Sequence, residues 1–376
     1  MCWKGSVIVK NIFRGTPEHG YACLPAFFHI VELLNPRSSY SIMVNRMNGS
    51  FIYYFLAFEA FIQGYGHMRK VIVVNGTHFY GKYGGILLSV VAQDTENHIF
   101  PIAFCVIDKE NNASWTFFFQ KLKSIVEDEQ NLCVISNRHI SIANAFSRMY
   151  SRAHHELCMR HLTENLCKLK SNFPEAAHVL EIVLGFDKWS RAHFPGNRYD
   201  VMTINIAESL NSIFMDGGEY PVSYIFNSIA RKFGEKFRER HAFVDGKENI
   251  FVPYTERILR DKRARAISSL QAKYGDGEGY GNSIYNYSSP IYKTKSYLLA
   301  YSEAINVVPL EAEWTVPQEL LDTKISLPPY DPKLVRKKFK RTKGIGETLK
   351  SKRRNRCSIC KKFEYKRTTC RMAIKS

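Results

Sequence analysis

An α/β fold built on a mixed sheet is predicted by two observations. Four apolar, β-branched runs have the length of buried strands: VIVVN (71–75), ILLSVVAQD (86–94), HIFPIAFCVID (98–108) and LCVISN (132–137). Two intervening segments, WTFFFQKLKSIVED (115–128) and ISIANAFSRMY (140–150), repeat apolar residues every three to four positions, as amphipathic helices do. The order is β-β-β-α-β-α.

Each element follows from its flanks. The glycine turn GKYGG (81–85) joins the first two strands, and the short turn TEN (95–97) joins the second to the third. Three strands linked by tight turns form an antiparallel meander. NNAS (111–114) offers N-caps for the first helix. A helical crossover then lets the fourth strand lie parallel to the first. Asn75 and Asn137 would end these two strands on the same side of the sheet, about 5 Å apart along the hydrogen-bonding direction. That arrangement is the core of a ribonuclease-H-like fold, whose catalytic acids occupy these two strand ends. Upstream, FIYYFLAFEAFIQGYG (51–66) reads as a strand or a pair of strands. Downstream, 203–215 and 222–240 have helical spacing, YGDGEGYGNSIYNYSS (274–289) reads as a loop or linker, and 313–332 reads as extended and proline-punctuated.

Charge is uneven along the 376 residues. Of 53 Lys and Arg, 18 fall in 331–376, with 3 of the 35 acids, so this tail carries +15 and the rest only +3. Such a tail is expected to be disordered and to form an electrostatic footprint for nucleic acid through Lys337, Lys338, Lys340, Arg341, Lys352, Arg353, Arg354 and Arg356. Its KKFKRTK and KSKRRNR runs resemble nuclear-import signals, so a nuclear location is expected. No apolar run approaches the ~18 residues of a membrane helix, and no membrane partner is expected. Several of the nine cysteines sit in apolar runs, as reduced thiols do in a reducing, intracellular compartment.

Several ordered stretches carry a family resemblance. They are GHMRKVIVVNGTHFYGKYGG (66–85), VAQDTENHIFPIAFCVIDKENNASWTFFF (91–119), ISNRHISIANA (136–145), CMRHLTENL (158–166), KWSRAHFPGNRYDVMTINIAESLN (188–211) and SYLLAYSEAINVVPLEAEW (296–314). With these the chain resembles the transposases of plant Mutator-like elements (the MULE or MuDR family). It is also similar to transposase-derived relatives such as the far-red-response transcription factors. The resemblance implies a DNA recombinase acting on transposon terminal inverted repeats, with three carboxylates holding two Mg²⁺ or Mn²⁺ ions. It places those three positions at Asn75, Asn137 and Glu208. Two are amides, neutral and weaker Mg²⁺ ligands, so the member is degenerate and is expected not to cleave DNA. The alternatives are a domesticated nuclear DNA-binding or regulatory protein, a translated pseudogene product that folds poorly, and an active metal-dependent transposase. A homo-oligomer is compatible with the family.

Other residues have plainer roles or weaker signals. Asp108 and Asp94 read as turn or capping acids, and His78 and His139 as packing or hydrogen-bonding residues. Cys158 and His161 form Cys-x-x-His, a weak zinc signal that Cys167 or His154 would have to complete. Cys357, Cys360 and Cys370 match a zinc knuckle with Tyr365 at its histidine position, so Zn²⁺ would be held weakly. Lys82, Arg138, Arg160, Arg191 and Arg198 read as surface charges before phosphate contacts, and Trp115 and Trp189 as core. The expected organisation is a flanking segment (1–66), a transposase domain (67–240) with a shortened helical insertion at about 162–188, a helical and linker region lacking the family's SWIM zinc module (241–330), and the basic tail (331–376).

Overall fold

Seven strands form one sheet: β1 (Ser39–Val44), β2 (Phe51–Ala57), β3 (Val71–His78), β4 (Ile86–Gln93), β5 (Ile99–Ile107), β6 (Cys133–Ser136) and β7 (His154–Leu157), in the order β1-β2-β5-β4-β3-β6-β7. The computed structural model describes residues 16–79, 85–164, 175, 199, 201–214, 221–246, 249–262 and 289–328. The helices are α1 (Pro17–Ala22), α2 (Leu24–Leu34), α3 (Glu59–Tyr65), α4 (Asn112–Leu122), α5 (Ile140–Met149), α6 (159–164), α7 (Asn205–Phe214), α8 (Val222–Val244), α9 (253–262), α10 (Thr294–Ala300) and α11 (Gln318–Asp322).

The meander β3-β4-β5 is antiparallel, and β6 and β7 join β3 in parallel. β3 is paired along both edges, and successive side chains of its unbroken Val71-Ile72-Val73-Val74 run, which point to opposite faces of the sheet, are all buried, so both faces are covered there. β2 pairs with β5 and β1 with β2, so 39–57 extends the sheet beyond the meander. FIYYFLAFEAFIQGYG is therefore one strand followed by a helix, not two strands. α3 starts at Glu59, after extended Phe58, and its Phe61 turns inward. A fully apolar run hides this change because it lacks a period of either kind.

The pleat sorts the covering helices. Phe61 of α3 lies 6.3–6.5 Å from Phe104 and Phe100 of β5, and 5.8 Å from Phe233 and Phe237 of α8. Tyr54 stacks on Phe28 of α2 at 3.7 Å and meets Phe226 of α8 at 4.8 Å. Its neighbours on β2 face the other way: Tyr53 meets Phe117, and Phe55 meets Phe118, both of α4. Helices α2, α3 and α8 thus cover one face, and α4 the other. α5 joins α4 through Phe119–Phe146. α7 packs across β3, β4 and β5.

Asn111 caps α4 as predicted: its side chain accepts from Ser114 N, and Ser114 Oγ accepts from Asn111 N. α4 stops at Leu122, short of the predicted 128, and is followed by turns. Among the described residues of the proline-punctuated 313–332 stretch, one short α-helix, α11, forms. Among the described residues no helix is long and apolar enough to cross a membrane. The basic tail, the knuckle positions Cys357, Cys360, Tyr365 and Cys370, most of the 162–188 insertion, nearly all of the 274–289 linker, and Lys82, Cys167, Trp189, Arg191 and Arg198 lie outside the described residues.

Candidate functional site

Strand register sets the first two positions level. β3 and β6 pair in parallel at Val71↔Cys133, Ile72↔Val134 and Val73↔Ile135. Asn75 and Asn137 are each two residues past the last pair, so their side chains share a face at the same height. β3 does not end at Asn75, as the sequence suggested. It continues to His78, held by β4 through Asn75↔Ser89 to His78↔Ile86. β6 stops at Ser136. The site is the gap where one strand continues and its parallel neighbour ends.

Side chains close that gap. Asn137 Nδ2 donates to Asn75 Oδ1 at 3.2 Å. His161 Nδ1 lies 2.9 Å from Asn137 Oδ1. His161 Nε2 lies 3.3 Å from Glu208 Oε1 and 3.1 Å from Arg160 Nη2. Arg160 Nη2 donates to Glu208 Oε2 at 2.5 Å. The three positions named by the resemblance therefore converge, joined through His161. Arg160, read from sequence as a surface charge, points inward as the partner of Glu208.

The electrostatics follow these contacts. Hydrogen bonding to Cys158, and then to Glu208, pushes the His161 pKa up to about 9, so at neutral pH Nε2–H donates to the carboxylate. The bond from His161, with Arg160 beside it, holds Glu208 below the usual glutamate range. Burial acts to raise the Cys158 thiol, but its bond with His161 brings it below the ordinary value.

Cys158 is a structural bridge. Its N–H donates to Ser136 O at 3.0 Å, and Met159 N donates to Met202 O at 3.0 Å. These bonds fasten the start of α6 to the end of β6 and to the approach to α7. His154 cannot complete a zinc set with Cys158 and His161: it opens β7 opposite Cys133, whereas Cys158 follows the strand's far end, about 13 Å away. Among the described residues no group of three or more His, Cys, Asp or Glu is placed to hold a metal.

The remaining acids lie elsewhere. Asp94 is buried at the opposite end of the sheet. It accepts from Glu96 N, His98 N and Tyr301 Oη at 2.7–2.9 Å, which makes it a turn acid anchoring the segment after α10. Asp108 accepts from Lys109 N, with β4 between it and Asn75. Sequence reasoning passed over Glu110. A Cβ on Gly76 would meet Glu110 Oε1 at 3.1 Å, so this carboxylate lies beside β3, but on the face opposite Asn75. His139 accepts from Ser141 N and caps α5. Trp115 is core, with no exposed surface.

A divalent metal does not fit this donor set. Two hard-cation sites need several anionic oxygens, and the face offers two amides and one carboxylate whose oxygens meet His161 and Arg160. Beside Asn137, a groove of about 970 Å³ opens between α5 and β7, with Arg138, His139, Ser147, His154 and His155 in its lining and no acid among the described lining residues.

Residues 71–165 match the MULE transposase domain. The match runs from the first residue of β3 through the described residues of α6, so it includes Asn75, Asn137, Arg160 and His161 and stops before Glu208. A comparison with curated proteins gave no match. The MULE segment thus contains the meander, the parallel pair and the strand-end gap, while the carboxylate reaches the gap from α7, outside it.

Proposed function

We propose that the chain is a Mutator-like transposase-derived protein with a ribonuclease-H-like core that binds DNA in the nucleus and does not cleave it. The MULE match supports the origin. The antiparallel meander continued by two parallel strands supports the core assignment. The observation that carries the loss of cleavage is the Asn75–Asn137 bond, an amide pair where the resemblance places two metal-binding acids. Without those charges, neither water activation nor leaving-oxygen stabilisation by a metal pair has a scaffold. The +15 tail and the groove beside Asn137, with Arg138 and no acid among its described lining residues, favour DNA contact and, with it, a domesticated regulatory role.

Cleavage and strand transfer on terminal-inverted-repeat DNA in Mg²⁺ and in Mn²⁺ test the reading. The expected result is retarded mobility of the DNA with no nicked or joined product. Turnover that is lost in Glu208→Ala would overturn it and restore the active-enzyme reading.

A further inference from the structure

We propose that Asn75 and Asn137 are a matched amide pair that closes the site without a metal, with His161 and Arg160 as the basic partners of Glu208. The inference rests on the reading that these three positions correspond to the metal-holding acids of the MULE domain.

An amide carries a donor and an acceptor on one head. Asn137 uses both: Oδ1 faces His161 Nδ1, and Nδ2 donates to Asn75 Oδ1. A carboxylate accepts at both oxygens and donates at neither. One acid in the pair is still compatible. Asp at 75 accepts from Asn137 Nδ2. Asp at 137 accepts from Asn75 once that amide is turned over, a rotation that exchanges its oxygen and nitrogen. Two acids are not compatible, because carboxylates facing each other at such a distance repel unless one is protonated or a cation enters. The cation's place is taken, since each oxygen of Glu208 already has a basic partner. The two amides are therefore more than a loss of charge. With Glu208, Arg160 and His161 they tie β3, β6, α6 and α7 together through side chains alone.

The test is a double-mutant cycle on the full-length chain. Thermal unfolding is followed for wild type, Asn75→Asp, Asn137→Asp and the double variant, each in EDTA and in excess Mn²⁺. Wild type and both single variants are expected to unfold within about 2 °C of one another and to ignore Mn²⁺. The double variant is expected to fall about 5 °C or more below the sum of the singles. Mn²⁺ should recover it only when Arg160→Ala is added. A double variant that fails to fold while both singles fold is the same result in stronger form. Additive shifts, singles that fall as far as the double, or Mn²⁺ recovery with Arg160 intact would each overturn the proposal. DNA cleavage by the wild type would instead strike the function proposed above and leave the cycle to decide the amide pair separately.

Discussion

Asn137 Nδ2 donates to Asn75 Oδ1 across 3.2 Å, joining residues 62 positions apart in the chain. The bond depends on register. Val73 pairs with Ile135, so the residues two further along each strand face each other where β6 has ended. A slip of one residue would turn one amide to the opposite face of the sheet.

Stability should depend on pH through His161 and Glu208. The folded pKa of His161, about 9, lies above its ordinary 6.5. Its contribution is complete below about 6.5 and is lost as pH rises through 9. Glu208 is shifted down, so its contribution is complete above its ordinary 4.5 and is lost as pH falls through the lower folded value. A plateau between these limits and an alkaline decline are expected in urea unfolding. Cys158, held below 9.0, acts in the opposite sense and makes the decline shallower. Glu208→Gln should lower the plateau by ~1–2 kcal/mol, a modest figure because the side chain is 36% exposed and solvent screens it. A variant as stable as wild type from pH 5 to 9 would show that these interactions contribute nothing.

Gly64 is where α3 meets the end of α10. A Cβ there would sit 2.3 Å from Ala300 O and 2.6 Å from Phe100 Cζ. The carbonyl belongs to backbone at the end of α10, and Phe100 is fully buried, so neither yields easily. Gly64→Ala should destabilise by ~1–3 kcal/mol despite the better helix propensity of alanine. Equilibrium unfolding that shows a gain would mean that α10 shifts without cost.

The tail should carry most of the DNA affinity. Replacing Lys337, Lys338, Lys340 and Arg341 with Gln in the full chain should weaken binding at low salt. It should also flatten the plot of log K against log salt by about 0.9 for each duplex phosphate that is no longer neutralised. An unchanged slope would move the interface away from these residues, with Arg138 in the groove as the next residue to replace.

Much of the strand and helix order was legible in the sequence. Strand-length β-branched runs and a capped amphipathic segment are local signals, and β3 to α5 follow from them. The levels of Asn75 and Asn137 could also be anticipated, because a single crossover leaves few ways to place β6. Other features had no local signal. The end of β2 and the start of α3 fall inside one apolar stretch, and β2 finds its place only by pairing with β5, as β1 does by pairing with β2.

The site divides in the same way. The sequence by itself determined that two amides and one carboxylate stand at the three positions that the resemblance names, and that a Cys-x-x-His lies between Asn137 and Glu208. Only the tertiary structure decided that Arg160 turns inward, that His161 spans Asn137 and Glu208, and that His154 lies too far away to join Cys158. Periodicity records which face of an element is buried. Which oxygen meets which nitrogen depends on strand register and helix approach, and these are fixed by packing between residues distant in the chain.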